Sequence, residues 1–110
     1  MISHLYVTNP FDASPVGKVK LSTESEVDAA LAIAEQTHKN NKKGLPKYER
    51  VAILKKASEI MKGGATELAL LIASEGGKPL IGAKVEVERA IDVIETCASE
   101  IANNSGSEIP

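Results

Sequence analysis

Two glycines precede a lysine at an expected helix start in Gly76-Gly77-Lys78-Pro79. Such a stretch can bind phosphate through backbone N–H groups and the positive end of the helix. A P-loop also needs a glycine at position 72 and a serine or threonine at position 79, but these positions hold Ile and Pro. The sequence contains no G-x-G-x-x-G motif either. The stretch is therefore interpreted as a helix stop followed by a helix that begins at a proline.

The sequence offers few candidates for a catalytic nucleophile or a metal ligand. Cys97 would need a neighbouring base or cation to become a nucleophile, and its sequence neighbours are Thr96 and Ala98. Its helical spacing places it among apolar residues, so we expect it to pack in the core. His4 and His38 have no partner at a metal-ligand spacing. Because His38 continues an apolar helical stripe, we expect an ordinary, partly buried histidine.

Arg50 lies at the N-terminal end of a predicted apolar helical face that continues through Ile53 and Leu54. A permanent charge on such a face needs a carboxylate or carbonyl partner. We predict a structural ion pair with Glu75 or Glu86. None of these residues forms a recognisable active site, so the residue types alone do not identify a reaction.

The spacing of apolar residues predicts a β-hairpin followed by four helices. Alternation typical of strands changes to a helical period at a capping box, Thr23-Glu24-Ser25-Glu26. An isolated hairpin is marginally stable in water, so we expect it to pack on another part of the protein. The predicted strands are 4–8 and 16–21. The first predicted helix runs from Thr23 to a turn at 39–44, and the second runs from Pro46 to Gly63-Gly64. A third, shorter helix follows and ends at Gly76-Gly77, and the fourth runs from Pro79 to about Asn103.

The last predicted helix carries apolar residues on two sides. Val85, Arg89 and Val93 follow each other at intervals of four, roughly opposite the main apolar stripe. A surface helix of a small free domain would be polar there, so we predict that the chain is part of a larger assembly. The main stripe, expected to form the core, comprises Ala83, Val87, Ala90, Ile91, Ile94, Cys97, Ala98 and Ile101.

The composition is that of one ordinary domain, with 110 residues, 43% hydrophobic, and 13 basic against 15 acidic side chains. There is no basic excess to neutralise phosphates and only 3% of residues are aromatic, so we expect no nucleic-acid partner. No apolar run approaches the roughly 20 residues of a membrane helix, and no signal-peptide core follows Met1. A single cysteine excludes an internal disulfide. We expect a cytoplasmic protein without membrane contact.

Short motifs occur along nearly the whole chain in an order that resembles the N-terminal region of the NAD(P)-dependent aldehyde dehydrogenase superfamily. Each motif is weak alone, and their order makes the resemblance specific. Lys39 and Lys42, in place of aromatic residues, and the Gly63-Gly64 pair depart from the family pattern. The motifs are Asn9-Pro10 with Gly17, Glu26–Ala30, Leu45-Pro46 with Glu49–Leu54, Glu67-Leu68-Ala69, Glu75–Leu80, Glu86–Ala90 and Gly106–Pro110.

The resemblance implies an α/β parent fold with a Rossmann-like cofactor domain. Residues 1–110 would be the N-terminal part of that cofactor-binding domain, with a β-hairpin at 1–22 and four mostly antiparallel α-helices at 23–110. The catalytic domain would be absent from this chain. The partners would be the remainder of the dehydrogenase chain, a small-molecule aldehyde, and further copies in a homodimer or homotetramer.

The resemblance also implies the chemistry of the complete enzyme. A cysteine thiolate attacks the aldehyde, hydride passes to NAD or NADP, and water hydrolyses the thioester to a carboxylic acid. In the family, the catalytic cysteine, the general-base glutamate and the nucleotide-binding segment lie C-terminal to the region that this chain matches, and Cys97 does not match that cysteine. This chain alone is therefore expected to hold no catalytic, cofactor-binding or metal residue and to be inactive.

The same resemblance points to Arg89 as a substrate-binding residue. In members that act on anionic aldehydes, an arginine in a Glu-Val-x-Arg motif contacts the anion, and here that motif is Glu86-Val87-Glu88-Arg89. A guanidinium suits the role because its planar fork donates two hydrogen bonds to a carboxylate or phosphate. The alternative is a surface ion pair with Glu86 or Asp92.

The resemblance also raises the possibility of a bound monovalent cation. Some members hold a monovalent cation at positions that correspond here to Thr8 and Glu75, and hard oxygen ligands suit such an ion. Otherwise Glu75 would be an ion-pair partner or an exposed acid at a helix end. The rival interpretation of the whole chain is a free-standing helical interaction module without catalysis.

Overall fold

The computed structural model describes residues 3–106, 108 and 109. Its elements follow the predicted order of a hairpin and four helices. Two compact units are present: residues up to 44 with 74–77 form the first, and residues 45–73 with those from 78 onward form the second. No described helix is both long and apolar enough to cross a membrane. The elements are β1 (His4–Thr8), β2 (Pro15–Lys20), α1 (Glu24–Asn40), α2 (Lys47–Gly63), α3 (Ala65–Gly76) and α4 (Leu80–Asn103).

The hairpin of the first unit is closed by polar side chains in its loop. β1 and β2 pair antiparallel, with a register shift after Val7. The Asn9 side-chain oxygen accepts a hydrogen bond from the Phe11 N–H at 2.9 Å. Asp12 accepts from the N–H of Ser14 at 3.0 Å and from its hydroxyl at 2.7 Å. These bonds to Ser14 lower the pKa of Asp12, and such turns are typical of Asn and Asp.

Helix α1 begins at the predicted capping box. The Glu26 N–H donates to the Thr23 hydroxyl at 3.3 Å, and the Thr23 N–H donates to the Glu26 carboxylate at 2.8 Å. No residue of α1 is buried, and Val27 and Leu31 are 49% and 63% exposed. The prediction of a partly buried His38 is therefore wrong, since that side chain is exposed. The apolar stripe is present, but its own unit does not cover it.

The core of the second unit lies where α2 and α3 meet α4. Small side chains allow close approach, and Ala69 and Ala83 are completely buried. Gly63 ends α2 and Gly64 follows as its C-terminal cap, as predicted. The buried cluster consists of Ala69, Ala83, Val87 and Ile91, with Met61, Ala65, Leu68, Ile72 and Ala73 packed around it.

The predicted core stripe of α4 is confirmed along its centre and wrong at its edge. Ala98 is buried like the cluster above, and Ile94 and Ile101 are half-buried. Ala90 and Cys97, predicted to pack in the core, are exposed. Both lie at the border of the stripe on the helical wheel, where α2 and α3 no longer cover the helix.

Candidate functional site

The outer face of α4 carries the predicted substrate-binding residue. Arg89 is exposed, and Val85 and Val93, about one turn before and after it, are 41% and 61% exposed. The core residues Val87 and Ile91 lie on the other side of the helix, as expected from a period of 3.6. A cation between two apolar side chains thus faces away from the core of its own unit.

Arg89 forms no ion pair with any residue that the structure describes. Glu86, three residues earlier, contacts Nζ of Lys78 instead. Asp92, three residues later, likewise forms no ion pair within the described chain. The surface pair that was the alternative role for Arg89 is therefore absent from the described side chains.

Lys78 reaches Glu86 by crossing the start of α4. The helix begins at Leu80 after Pro79, so Lys78 precedes it by two residues. A Cβ at Gly82 would lie 3.3 Å from Lys78 Cε and 3.8 Å from its Cγ. The missing side chain at Gly82 therefore leaves room for the stem of the lysine along the helix.

Gly77, considered above for phosphate binding, contacts the hairpin loop of its own unit. Its φ is +65°, a left-handed conformation that glycine adopts without strain. A Cβ there would stand 2.7 Å from Pro10 Cγ, so the proline occupies the space beside the glycine. Since α3 ends at Gly76 and α4 follows Pro79, the predicted helix stop is confirmed. Pro10 therefore leaves no room for a phosphate beside Gly77.

Thr8 and Glu75, the two positions considered for a monovalent cation, are both exposed. Thr8 is the last residue of β1, and Glu75 lies next to the end of α3. No group of three or more His, Cys, Asp or Glu gathers into a possible metal site among the described residues. The cation between main-chain oxygens and Glu75 stays a prediction.

The predicted ion pair of Arg50 with Glu86 is wrong. Arg50 is exposed and forms no ion pair with a described residue of its own unit, in which Glu86 contacts Lys78. The pair with Glu75, a residue of the first unit, stays a prediction. At the start of α2 the guanidinium remains in water, so it needs no carboxylate partner. Nearby, Lys47 Nζ donates to the main-chain carbonyl of Asn104 at 2.6 Å and so binds the end of α4.

A polar cluster that no motif of the sequence indicates lies between α2 and α4. The Ser58 hydroxyl, 2% exposed, donates to Glu95 Oε1 at 2.6 Å, and Lys62 contacts the same oxygen. The hydrogen bond from Lys62, followed by that from Ser58, lowers the pKa of Glu95. Ser58 and Lys62 share a face at a spacing of four, but no sequence signal connects them to Glu95, which lies 37 and 33 positions later.

Comparisons with known proteins agree on one family. The model of the aldehyde dehydrogenase family matches residues 3–110. Aspartate-semialdehyde dehydrogenase 1 of Pseudomonas canavaninivorans is 34% identical over 97% of this chain, which spans 23% of that relative. A glyceraldehyde-3-phosphate dehydrogenase of Methanocaldococcus jannaschii, solved with NADP, superposes with a TM-score of 0.88 at 31% identity, over 96% of this chain and 23% of its own.

Aldehyde dehydrogenase 21 of Physcomitrella patens, solved with the product succinate, also gives a TM-score of 0.88, at 32% identity. The alignment covers 97% of this chain and 22% of that enzyme. The chain thus spans less than a quarter of the length of these relatives.

Proposed function

Because the chain belongs to the aldehyde dehydrogenase family, we propose that it forms the N-terminal part of the cofactor-binding domain of an enzyme that oxidises an aldehyde to a carboxylic acid with NAD or NADP. The match over residues 3–110 supports this function over a free-standing interaction module. Residues 1–22 and 23–110 are the hairpin and the helical segment of that domain. The catalytic cysteine and the nucleotide-binding segment belong to the part of the relatives that this chain does not cover.

The substrate of the proposed enzyme is an aldehyde with an anionic group, and Arg89 binds that group. The observation that carries this proposal is an exposed guanidinium without a described carboxylate partner, between the exposed Val85 and Val93. In the complete enzyme, where further protein covers this face, the apolar flanks lower the local dielectric constant and so strengthen the attraction. Three relatives support the same class, because aspartate semialdehyde, glyceraldehyde 3-phosphate and succinate all carry anionic groups.

The proposed enzyme is cytoplasmic and assembles as a homodimer or homotetramer. Exposed apolar side chains on α1 and α4 support burial against further protein: Leu31, Ile33 and Val93 are 63%, 67% and 61% exposed. Large apolar side chains that are exposed in this way are available for contact with another part of the protein or another subunit.

Activity of the protein in its full-length form tests the proposed function. With NAD⁺ or NADP⁺ we expect reduced cofactor to form faster from succinic semialdehyde, which carries a carboxylate, than from the neutral butanal. The 110 residues alone should form none above background, because they lack the catalytic cysteine and the nucleotide-binding segment. A full-length protein that oxidises no aldehyde of a broad panel would overturn the proposed function. Turnover by the short chain alone would overturn the placement of the catalytic residues outside it.

A further inference from the structure

We infer that Lys78 is a positioning residue, which pairs with Glu86 and thereby keeps the Arg89 guanidinium unpaired for an anionic substrate. The inference rests on the proposed function, in which Arg89 contacts the anion. Lys78 acts through Glu86 and does not itself touch the substrate. Lys78 thus neutralises the carboxylate of Glu86, and Arg89 remains available to bind the anionic group of the substrate.

Glu86 has two possible cationic partners close by in the sequence. Arg89 follows it by three residues on the same helix, a spacing at which side chains of opposite charge pair. In the structure, however, the Glu86 carboxylate contacts Nζ of Lys78, and Arg89 pairs with no described residue. The contact with Lys78 therefore replaces the local pair that the helix spacing would otherwise favour.

The start of α4 is shaped for this contact. Lys78 lies before the helix, and its stem passes over Gly82, with Cε 3.3 Å from the position that a Cβ would take. A lysine ammonium is a flexible point charge that can pair with a single carboxylate oxygen, whereas arginine carries a rigid fork for two oxygens. The arrangement leaves the side chain with the fork, Arg89, for bidentate binding of a carboxylate or phosphate.

The size of the effect follows from the fraction of molecules in which Arg89 is free. Surface pairs at a spacing of three are weak, so without Lys78 the Glu86–Arg89 pair would form in roughly half to two thirds of the molecules. The apparent affinity falls in proportion to the fraction that can bind. We therefore expect the KM for an anionic aldehyde to rise about two- to threefold in Lys78→Met, with kcat unchanged.

Lys78 could instead attract the anion by its own charge. The substitution Arg89→Ala separates the two mechanisms. If Lys78 acts through Arg89, Lys78→Met should have no effect on a protein that already carries Arg89→Ala. A direct charge effect would persist in that background. Glu86→Gln should restore the KM of Lys78→Met, because it removes the carboxylate that would capture Arg89.

The experiment measures kcat and KM of the full-length protein for succinic semialdehyde and for butanal. The variants are Lys78→Met, Glu86→Gln, their combination, and Arg89→Ala with and without Lys78→Met. Lys56→Met is the matched control, because Lys56 pairs with Glu59 on the surface of α2. In Lys78→Met we expect a rise in the KM for succinic semialdehyde and no change in the KM for butanal. The KM for the semialdehyde should return to that of the unsubstituted protein when Lys78→Met is combined with Glu86→Gln.

An unchanged KM in Lys78→Met, a rise that Glu86→Gln does not reverse, or a rise that persists beside Arg89→Ala would overturn the role of Lys78. An equal rise for both aldehydes would do the same, because it would show a general structural effect. If Arg89→Ala itself leaves the preference for the semialdehyde unchanged, the proposed substrate contact fails, and the inference fails with it.

Discussion

Pro10 Cγ lies 2.7 Å from the position that a Cβ on Gly77 would take. The contact joins the Asn9-Pro10 turn of the hairpin to the glycine turn after α3, two motifs 67 residues apart within one compact unit. A glycine is required there twice over, because φ is +65° and because the neighbouring proline leaves no room for a side chain. Substitutions can separate the effect of the positive φ at Gly77 on stability from the effect of its contact with Pro10.

Gly77→Ala should destabilise the protein more than Gly44→Ala. Both glycines have φ +65°, but a Cβ on Gly44 would meet nothing within 4 Å. The backbone strain, roughly 1–2 kcal/mol, is therefore common to both variants. The clash with Pro10 should add about 1–3 kcal/mol to Gly77→Ala alone. Urea unfolding of the full-length protein measures the difference in the free energy of unfolding.

Pro10→Ala should remove that difference. It deletes Cγ and leaves Cβ, which lies 3.7 Å from the added methyl position on Gly77, an ordinary contact distance. In the Pro10→Ala background, Gly77→Ala should therefore lose only as much stability as Gly44→Ala does. Additive effects of Pro10→Ala and Gly77→Ala would contradict the contact.

Gly82→Ala should stabilise the protein although its neighbour is close. Alanine is better than glycine inside a helix by about 1 kcal/mol. The added methyl group meets the flexible end of Lys78 at 3.3 Å, which can shift by a few tenths of an ångström at little cost. Thermal unfolding should show a higher Tm for Gly82→Ala than for the unsubstituted protein, whereas the Tm of Gly77→Ala should be lower. A lower Tm would show that the Lys78 stem is held rigidly over Gly82.

The Glu95 cluster should make stability depend on pH in the acid range. The hydrogen bonds from Lys62 and Ser58 lower the pKa of Glu95 below its ordinary value of 4.5. The carboxylate therefore contributes stability that is complete above the pKa of the unfolded chain and is lost as pH falls through the pKa of the folded one. Glu95→Gln should reduce the loss of stability on acidification, as measured by urea unfolding between about pH 3 and pH 7. Glu59→Gln, on the outer surface of α2, is the control, and an equal change in both variants would contradict the account.

Local sequence signals predicted the elements well because each element carries its own start and stop. Thr23 and Glu26 form the expected capping box, and Pro46 and Pro79 immediately precede α2 and α4. Glycines end α2 and α3 as predicted. These signals act within a few residues, so they can be recognised without knowledge of the tertiary structure.

Burial and pairing were harder to predict because they depend on partners far away in the sequence. The helical wheel placed Cys97 and His38 on apolar stripes, but no element of their units covers those positions. Arg50 was expected to need a carboxylate, yet exposure to water removes that need. The Ser58–Glu95 bond joins residues 37 positions apart, a pairing that no local spacing indicates.

The central claim is that Arg89 binds the anionic group of an aldehyde, and the selectivity of Arg89→Ala tests it most directly. Arg50→Ala is the matched control, because Arg50 is also exposed and without a described ion pair. In the full-length protein, Arg89→Ala should lower kcat/KM for succinic semialdehyde about tenfold or more, as expected for the loss of a charged hydrogen bond of roughly 1.5–3 kcal/mol. The value for butanal, and both values for Arg50→Ala, should stay nearly unchanged. An equal loss for both aldehydes, or no loss for either, would contradict the claim.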